Sequence, residues 1–233
     1  MAETREGRCF GLVGGLGVGA TVHYYRALAA AHAARGLAMR ALVTHADVAR
    51  VLGAVKDNDI AGLADYLSGL VDGLARGGAT VAAVGAIAPH IALPELAKRA
   101  PIPVIDLVEE TACVIRARGY RRVALFGTRF AVESALFGRL TGVEVVKPKP
   151  DEVDFIHDAY VRIVAAEKGD VGDTEGFRRL ARLFLLRDGA DAIVLAGTEL
   201  ALVFDEKSAG FPAIDCARVH VDAIMARVAG ERA

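Results

Sequence analysis

Short continuous apolar runs alternate along the chain with longer stretches whose apolar residues recur three and four apart. That is the pattern of buried strands joined by helices that pack on them. Residues 9–13 form the first such run, followed by a glycine-rich turn over 14–19 and a helix expected over 20–35. A second strand is expected over 38–44 and a helix over 59–76, with Leu63, Leu67, Leu70 and Leu74 on one face. Further strands are expected over 104–106, 122–126 and 143–146, and further helices over 92–99, 109–118, 154–167, 174–187 and 216–228. Cys113 is expected as a small core residue of its helix, residues 169–173 as a loop, and Phe177, Leu180, Leu183 and Phe184 as the inward face of the next helix.

One stretch occurs twice. Gly78-Ala79-Thr80-Val81-Ala82-Ala83-Val84-Gly85-Ala86-Ile87-Ala88-Pro89-His90 has a counterpart 111 residues further on, Gly189-Ala190-Asp191-Ala192-Ile193-Val194-Leu195-Ala196-Gly197-Thr198-Glu199-Leu200-Ala201. Each copy is a Gly-Ala turn, an apolar run of strand length and a small-residue turn that opens a helix. A second matching piece follows in each half, Pro103-Val104-Ile105-Asp106 and Pro212-Ala213-Ile214-Asp215. Two copies of this length imply a duplicated α/β domain rather than a solenoid. The expected fold class is therefore α/β, with two pseudo-symmetric domains, each a mainly parallel sheet flanked by helices, and an interdomain cleft. Residues 1–105, completed by 213–233, are expected as the first domain and 106–212 as the second. In such a fold the turns after equivalent strands face each other, so the candidate site centres on Ala86 and Gly197.

Composition narrows the function classes. A chain of 233 residues, 54% hydrophobic and 24% charged, can bury two cores without disulfides or metals. Its 28 basic and 29 acidic residues show no basic stripe, which argues against nucleic-acid and anionic-membrane partners. The polar start, residues 1–8, does not read as a signal peptide, and no apolar run is long enough to span a bilayer. Cys9, Cys113 and Cys216 are odd in number and irregularly spaced, so neither a disulfide framework nor a metal site is indicated. A cytoplasmic protein is expected.

The first turn raises a rival. Gly15, Gly17 and Ala20 satisfy a loose Gly-x-Gly-x-x-Ala pattern for a dinucleotide, but Asp47 falls several residues past the end of the next strand, where no ribose would meet it. The alternative is a tight turn whose glycines let the backbone approach a small carboxylate. Gly11-Leu12-Val13-Gly14-Gly15-Leu16-Gly17 followed by Ala20-Thr21 and Tyr24-Tyr25-Arg26, then Leu125-Phe126-Gly127-Thr128-Arg129-Phe130, and Gly197-Thr198-Glu199-Leu200 favour that alternative. With these motifs the chain resembles the aspartate/glutamate racemase superfamily over nearly its whole length.

The resemblance implies a small-molecule carboxylate substrate, no cofactor and no metal, and it allows a homodimer. It also implies substrate-binding positions at Gly14, Gly15, Gly17, Arg50, Ala86, Ile87, Ala88, Thr128, Gly197 and Thr198. Turn amides and the Thr128 hydroxyl would hold a carboxylate, as would the guanidinium fork of Arg50. The family's two catalytic motifs read Cys-Asn-Thr-x-His and Gly-Cys-Thr-Glu. Here Ala86-Ile87-Ala88-Pro89-His90 and Ala196-Gly197-Thr198-Glu199 stand in their places, so neither cysteine is expected.

Racemisation beside a carboxylate removes a weakly acidic proton on one face and returns one on the other. Two opposed thiols do this in the family, and Ala86 and Gly197 have no group for it. His90, His45 and Glu199 are the candidate catalytic residues that remain. The expected function is a diverged superfamily enzyme, of isomerase, decarboxylase or cyclase type, acting on a small or medium carboxylic acid without two thiols. A non-catalytic ligand-binding homologue and an engineered cysteine-free racemase are the alternatives.

Overall fold

The structure, a computed structural model, describes residues 5–231. The polar start of the sequence falls partly outside them, in residues 1–4, as do residues 232–233 at the end expected to complete the first domain. The chain divides into two compact units, Met1–Asp106 with His220–Ala233, and Leu107–Val219.

The first unit runs through β1 (Arg5–Glu6), β2 (Phe10–Gly14), α1 (Val18–Ala34), β3 (Leu37–Ala38), β4 (Ala41–His45), α2 (Val48–Lys56), α3 (Ile60–Arg76), β5 (Val81–Val84), a 3-10 turn (Ala88–Ala92), α4 (Leu93–Arg99) and β6 (Val104–Ile105). The second runs through α5 (Leu107–Ala117), β7 (Arg122–Gly127), α6 (Arg129–Glu133), β8 (Glu144–Val145), α7 (Pro150–Ala166), α8 (Val171–Arg187), β9 (Ala192–Ala196), a 3-10 turn (Thr198–Leu202) and β10 (Ala213–Asp215). Helix α9 (Cys216–Val228) carries the chain from the second unit back to the first.

Each unit holds a four-stranded parallel sheet, in the order β4-β2-β5-β6 in one and β8-β7-β9-β10 in the other. The order is the same both times: second, first, third, fourth. Strands β2, β5 and β9 are buried at every residue because parallel sheets are covered on both faces, so they read in sequence as unbroken apolar runs. The apolar stripe of α3 packs on the first sheet through Leu63, Leu67, Val71 and Leu74. Among the described residues no helix is long and apolar enough to cross a membrane.

Four expectations need correction, each for a local reason. The helix expected from 154 begins at Pro150, because proline is preorganised for a first helical turn and Glu152 closes it by accepting from the Lys149 N–H at 2.8 Å. The loop expected over 169–173 is already helix from Val171, capped by Asp170, which accepts from the Asp173 N–H at 2.7 Å. Leu183 is 38% exposed, since the inward face of α8 passes through Phe177, Leu180, Ala181 and Phe184. Cys113 is likewise exposed, with Glu109 and Arg116 against its sulfur, because α5 turns Leu107, Val108, Thr111, Ala112 and Ile115 inward.

Candidate functional site

In an open parallel sheet, ligands gather beyond the carboxyl ends of the strands where the winding reverses. Here the reversal lies between β2 and β5 in the first unit and between β7 and β9 in the second. The turns leaving those four strands carry Gly14-Gly15, Gly85-Ala86, Gly127-Thr128 and Gly197-Thr198, so each unit brings two of the sequence-derived positions side by side.

In the first unit Gly15 adopts φ +84°, a left-handed conformation that favours glycine. The His45 ring lies against it, with Nδ1 2.7 Å from where a Cβ would sit, so His45 and the glycine turn do come together. Thr21, on α1, fills the space above Gly14. Its hydroxyl accepts from the Gly15 N–H at 3.0 Å and donates to the Gly17 carbonyl at 2.8 Å. The Gly15 amide expected to grip a carboxylate is therefore engaged by Thr21.

Ala86 and Ile87 are buried and Ala88 is half-buried. His90 is 0% exposed and donates from Nδ1 to the Ala86 carbonyl at 2.8 Å. The ring of His220 packs edge-on against it, 5.8 Å between centroids. His220 Nε2 lies 3.2 Å from the Ile105 carbonyl, which can only accept, so Nε2 carries the hydrogen and Nδ1 accepts from the Tyr24 hydroxyl at 2.9 Å.

Burial first, and the neighbouring His90 second, lower the His220 pKa to about 3. A histidine kept neutral in the fold but free to protonate when unfolded adds stability above about pH 6.5 that is lost as pH falls toward 3. Urea denaturation at pH 7 and pH 5 should therefore show His220→Gln losing about 2 kcal/mol less than the parent over that interval. Equal losses would mean that His220 titrates normally in the fold.

Arg50 is exposed on α2. Its guanidinium lies 4.2 Å from the Tyr66 ring centroid, a cation–π contact, and it has no carboxylate partner among the described residues. Asp47 is occupied as the α2 cap, accepting from the N–H groups of Ala49 and Arg50 at 2.9 and 3.1 Å.

In the second unit Thr128 caps α6 by accepting from the Ala131 N–H at 3.1 Å, and the Arg129 N–H points at His157 Nδ1, 3.3 Å away on α7. Gly197 has φ −152°, extended backbone open to any residue, so it is glycine for space rather than for conformation. The space belongs to Tyr160, whose Cε2 lies 2.3 Å from where a Cβ at 197 would be. The Tyr160 hydroxyl donates to Glu199 Oε2 at 2.5 Å and the Thr198 hydroxyl to the same oxygen at 3.0 Å. Burial first, and the Glu199 charge second, hold the Tyr160 phenol well above the usual tyrosine range. Cys216 is wholly buried, and burial pushes its thiol up to about 12, far from the thiolate that nucleophilic or acid–base sulfur requires.

His157 and Tyr160 were missed by the sequence reading. They sit three apart on α7 among Val153, Ile156 and Ile163, and a histidine and a phenol inside an apolar stripe were the available signal. Chemically, the first unit offers His45 at a glycine turn, and the second offers a carboxylate held by two hydroxyls.

The Asp/Glu/hydantoin racemase family model matches residues 13–224. The chain belongs to that family. A candidate Asp/Glu racemase from Yersinia pestis is 23% identical, with a TM-score of 0.84 over 95% of this chain and 99% of that one. An aspartate racemase homologue from Pyrococcus horikoshii is 21% identical, with a TM-score of 0.82 over 95% and 99%. Maleate isomerase from Pseudomonas putida S16 is 16% identical, with a TM-score of 0.57 over 97% and 94%. At these identities the likeness is one of fold, and it agrees with the two parallel sheets flanked by helices described above.

Proposed function

We propose that this chain is a diverged family member acting on a small or medium carboxylic acid by cofactor-independent acid–base or electrostatic chemistry, of isomerase or lyase type, that does not use two thiols. One observation carries the reading: the turns after β5 and β9 present Ala86 and Gly197, which can move no proton, while Glu199, His45 and His90 stand at or beside the strand ends. Of these three, Glu199 and His45 are the proposed proton-transfer groups. His90, bonded to the Ala86 carbonyl, is proposed to hold the first turn in shape. Thr128 and Arg50 are the proposed carboxylate grips, Arg50 because its guanidinium has no carboxylate of its own.

The racemases and the maleate isomerase among the structural neighbours lend support to an isomerase reading, since the fold hosts more than one isomerisation. A ligand-binding homologue without activity is the second reading, favoured by the Gly15 amide and His90 both being engaged internally.

Incubating a panel of amino and dicarboxylic acids with the protein in deuterium oxide separates the two. Exchange at the carbon beside the carboxylate, surviving prior alkylation with iodoacetamide, is the expected result. Exchange abolished by alkylation would overturn the thiol-free mechanism, and binding without exchange would favour the second reading.

A further inference from the structure

We propose that Tyr160 is a positioning residue of this site: its ring closes the face of Gly197, and its hydroxyl holds Glu199 by Oε2 so that Oε1 is the oxygen that exchanges a proton with substrate. The proposal rests on the functional reading above and adds a residue that the family motifs do not contain. Three observations carry it. Tyr160 and Glu199 are 8% and 5% exposed, so the pair is fixed rather than one of many surface rotamers. Both hydroxyl donors, Tyr160 and Thr198, fall on Oε2, and among the described residues nothing donates to Oε1. The ring fills the volume that any side chain at 197 would need, so the group beside this turn comes from α7 rather than from the turn itself.

The proton balance is simple. A carboxylate Glu199 takes the proton from the substrate carbon on Oε1 and becomes a neutral acid. The electron pair left on carbon is delocalised into the substrate's own carboxyl group. Return of the proton, or of a deuteron after exchange with solvent, restores the carboxylate. Tyr160 keeps its proton throughout and acts as a fixed donor to Oε2, consistent with a phenol that burial and the adjacent charge keep protonated.

Tyr160→Phe leaves the ring on Gly197 and removes only the hydroxyl. With L-aspartate and L-glutamate as probes in deuterium oxide, its kcat for exchange should fall by about tenfold or more while KM is unchanged. In tyrosine-labelled protein the Tyr160 13Cζ resonance, assigned by its absence from Tyr160→Phe, should move in Glu199→Gln whether or not either probe reacts. An unchanged kcat in Tyr160→Phe, or a Tyr160 resonance indifferent to Glu199→Gln, overturns the proposal. Should the parent protein exchange neither probe, the functional reading fails for those two acids, and the Tyr160 resonance alone decides the positioning role.

Discussion

Gly127→Ala is expected to destabilise the protein by about 3 kcal/mol, seen as a fall in Tm of roughly 6–12 °C. Gly127 ends β7 opposite Ala196 of β9, and a Cβ there would lie 2.1 Å from the Ala196 carbonyl oxygen and 2.7 Å from its carbon. The obstacle is main chain, which cannot rotate away as a side chain can. The ends of two central strands would have to part at the point where both turns of the second unit begin. Thermal denaturation of the variant beside Gly36→Ala makes the measurement specific. Gly36, unlike Gly127, has a positive φ, +63°, but nothing lies within 4 Å of its added methyl, so only the smaller backbone penalty applies. Equal melting temperatures for the two would refute the close approach.

The second large effect concerns a thiol placed at residue 197. Gly197→Cys should be strongly destabilising on its own, by about 2–3 kcal/mol, because its Cβ meets the Tyr160 ring at 2.3 Å and the ring is packed in the interior. Tyr160→Ala should also destabilise, by leaving a cavity and stripping Glu199 of a donor. Combined, the two should cost less than their sum, with a coupling of at least about 1 kcal/mol, since the sulfur occupies part of the space the ring vacates. Chemical denaturation of the two single variants and the double variant gives the cycle. Simple additivity would mean that residues 160 and 197 do not compete for the same volume.

The strands were legible because parallel sheets covered on both faces leave an unmistakable mark: Val81–Val84 and Ala192–Ala196 are apolar at every position and bracketed by glycine turns. The repeated stretches fell on equivalent strands for the same reason, and the family motifs fell on the turns that follow them. Tyr160 left no such mark. It is a long way in sequence from Gly197 and Glu199, and only the packing of α7 brings the three together. The start of α7 is hard to place from sequence because Lys147-Pro148-Lys149-Pro150 looks rigid and extended, which puts the expected start at 154, whereas the second proline opens the helix. Leu183 was misplaced because a helical stripe is about 100° wide and its edge residues face either way; the exposed position went to a leucine whose neighbour Phe184 had taken the interior.

The first unit is discontinuous in the chain, and this bears on how the protein is made. Its backbone is tied to the last helix by the Arg8 N–H donating to the Val228 carbonyl at 3.2 Å, and its buried Tyr24 hydroxyl has His220 as acceptor. Neither partner exists until translation has passed the whole of the second unit. The second unit is one unbroken segment, whereas the first, although its beginning is made earlier, waits for residues 220–228. A nascent chain stalled before residue 220 would leave its own beginning unfinished.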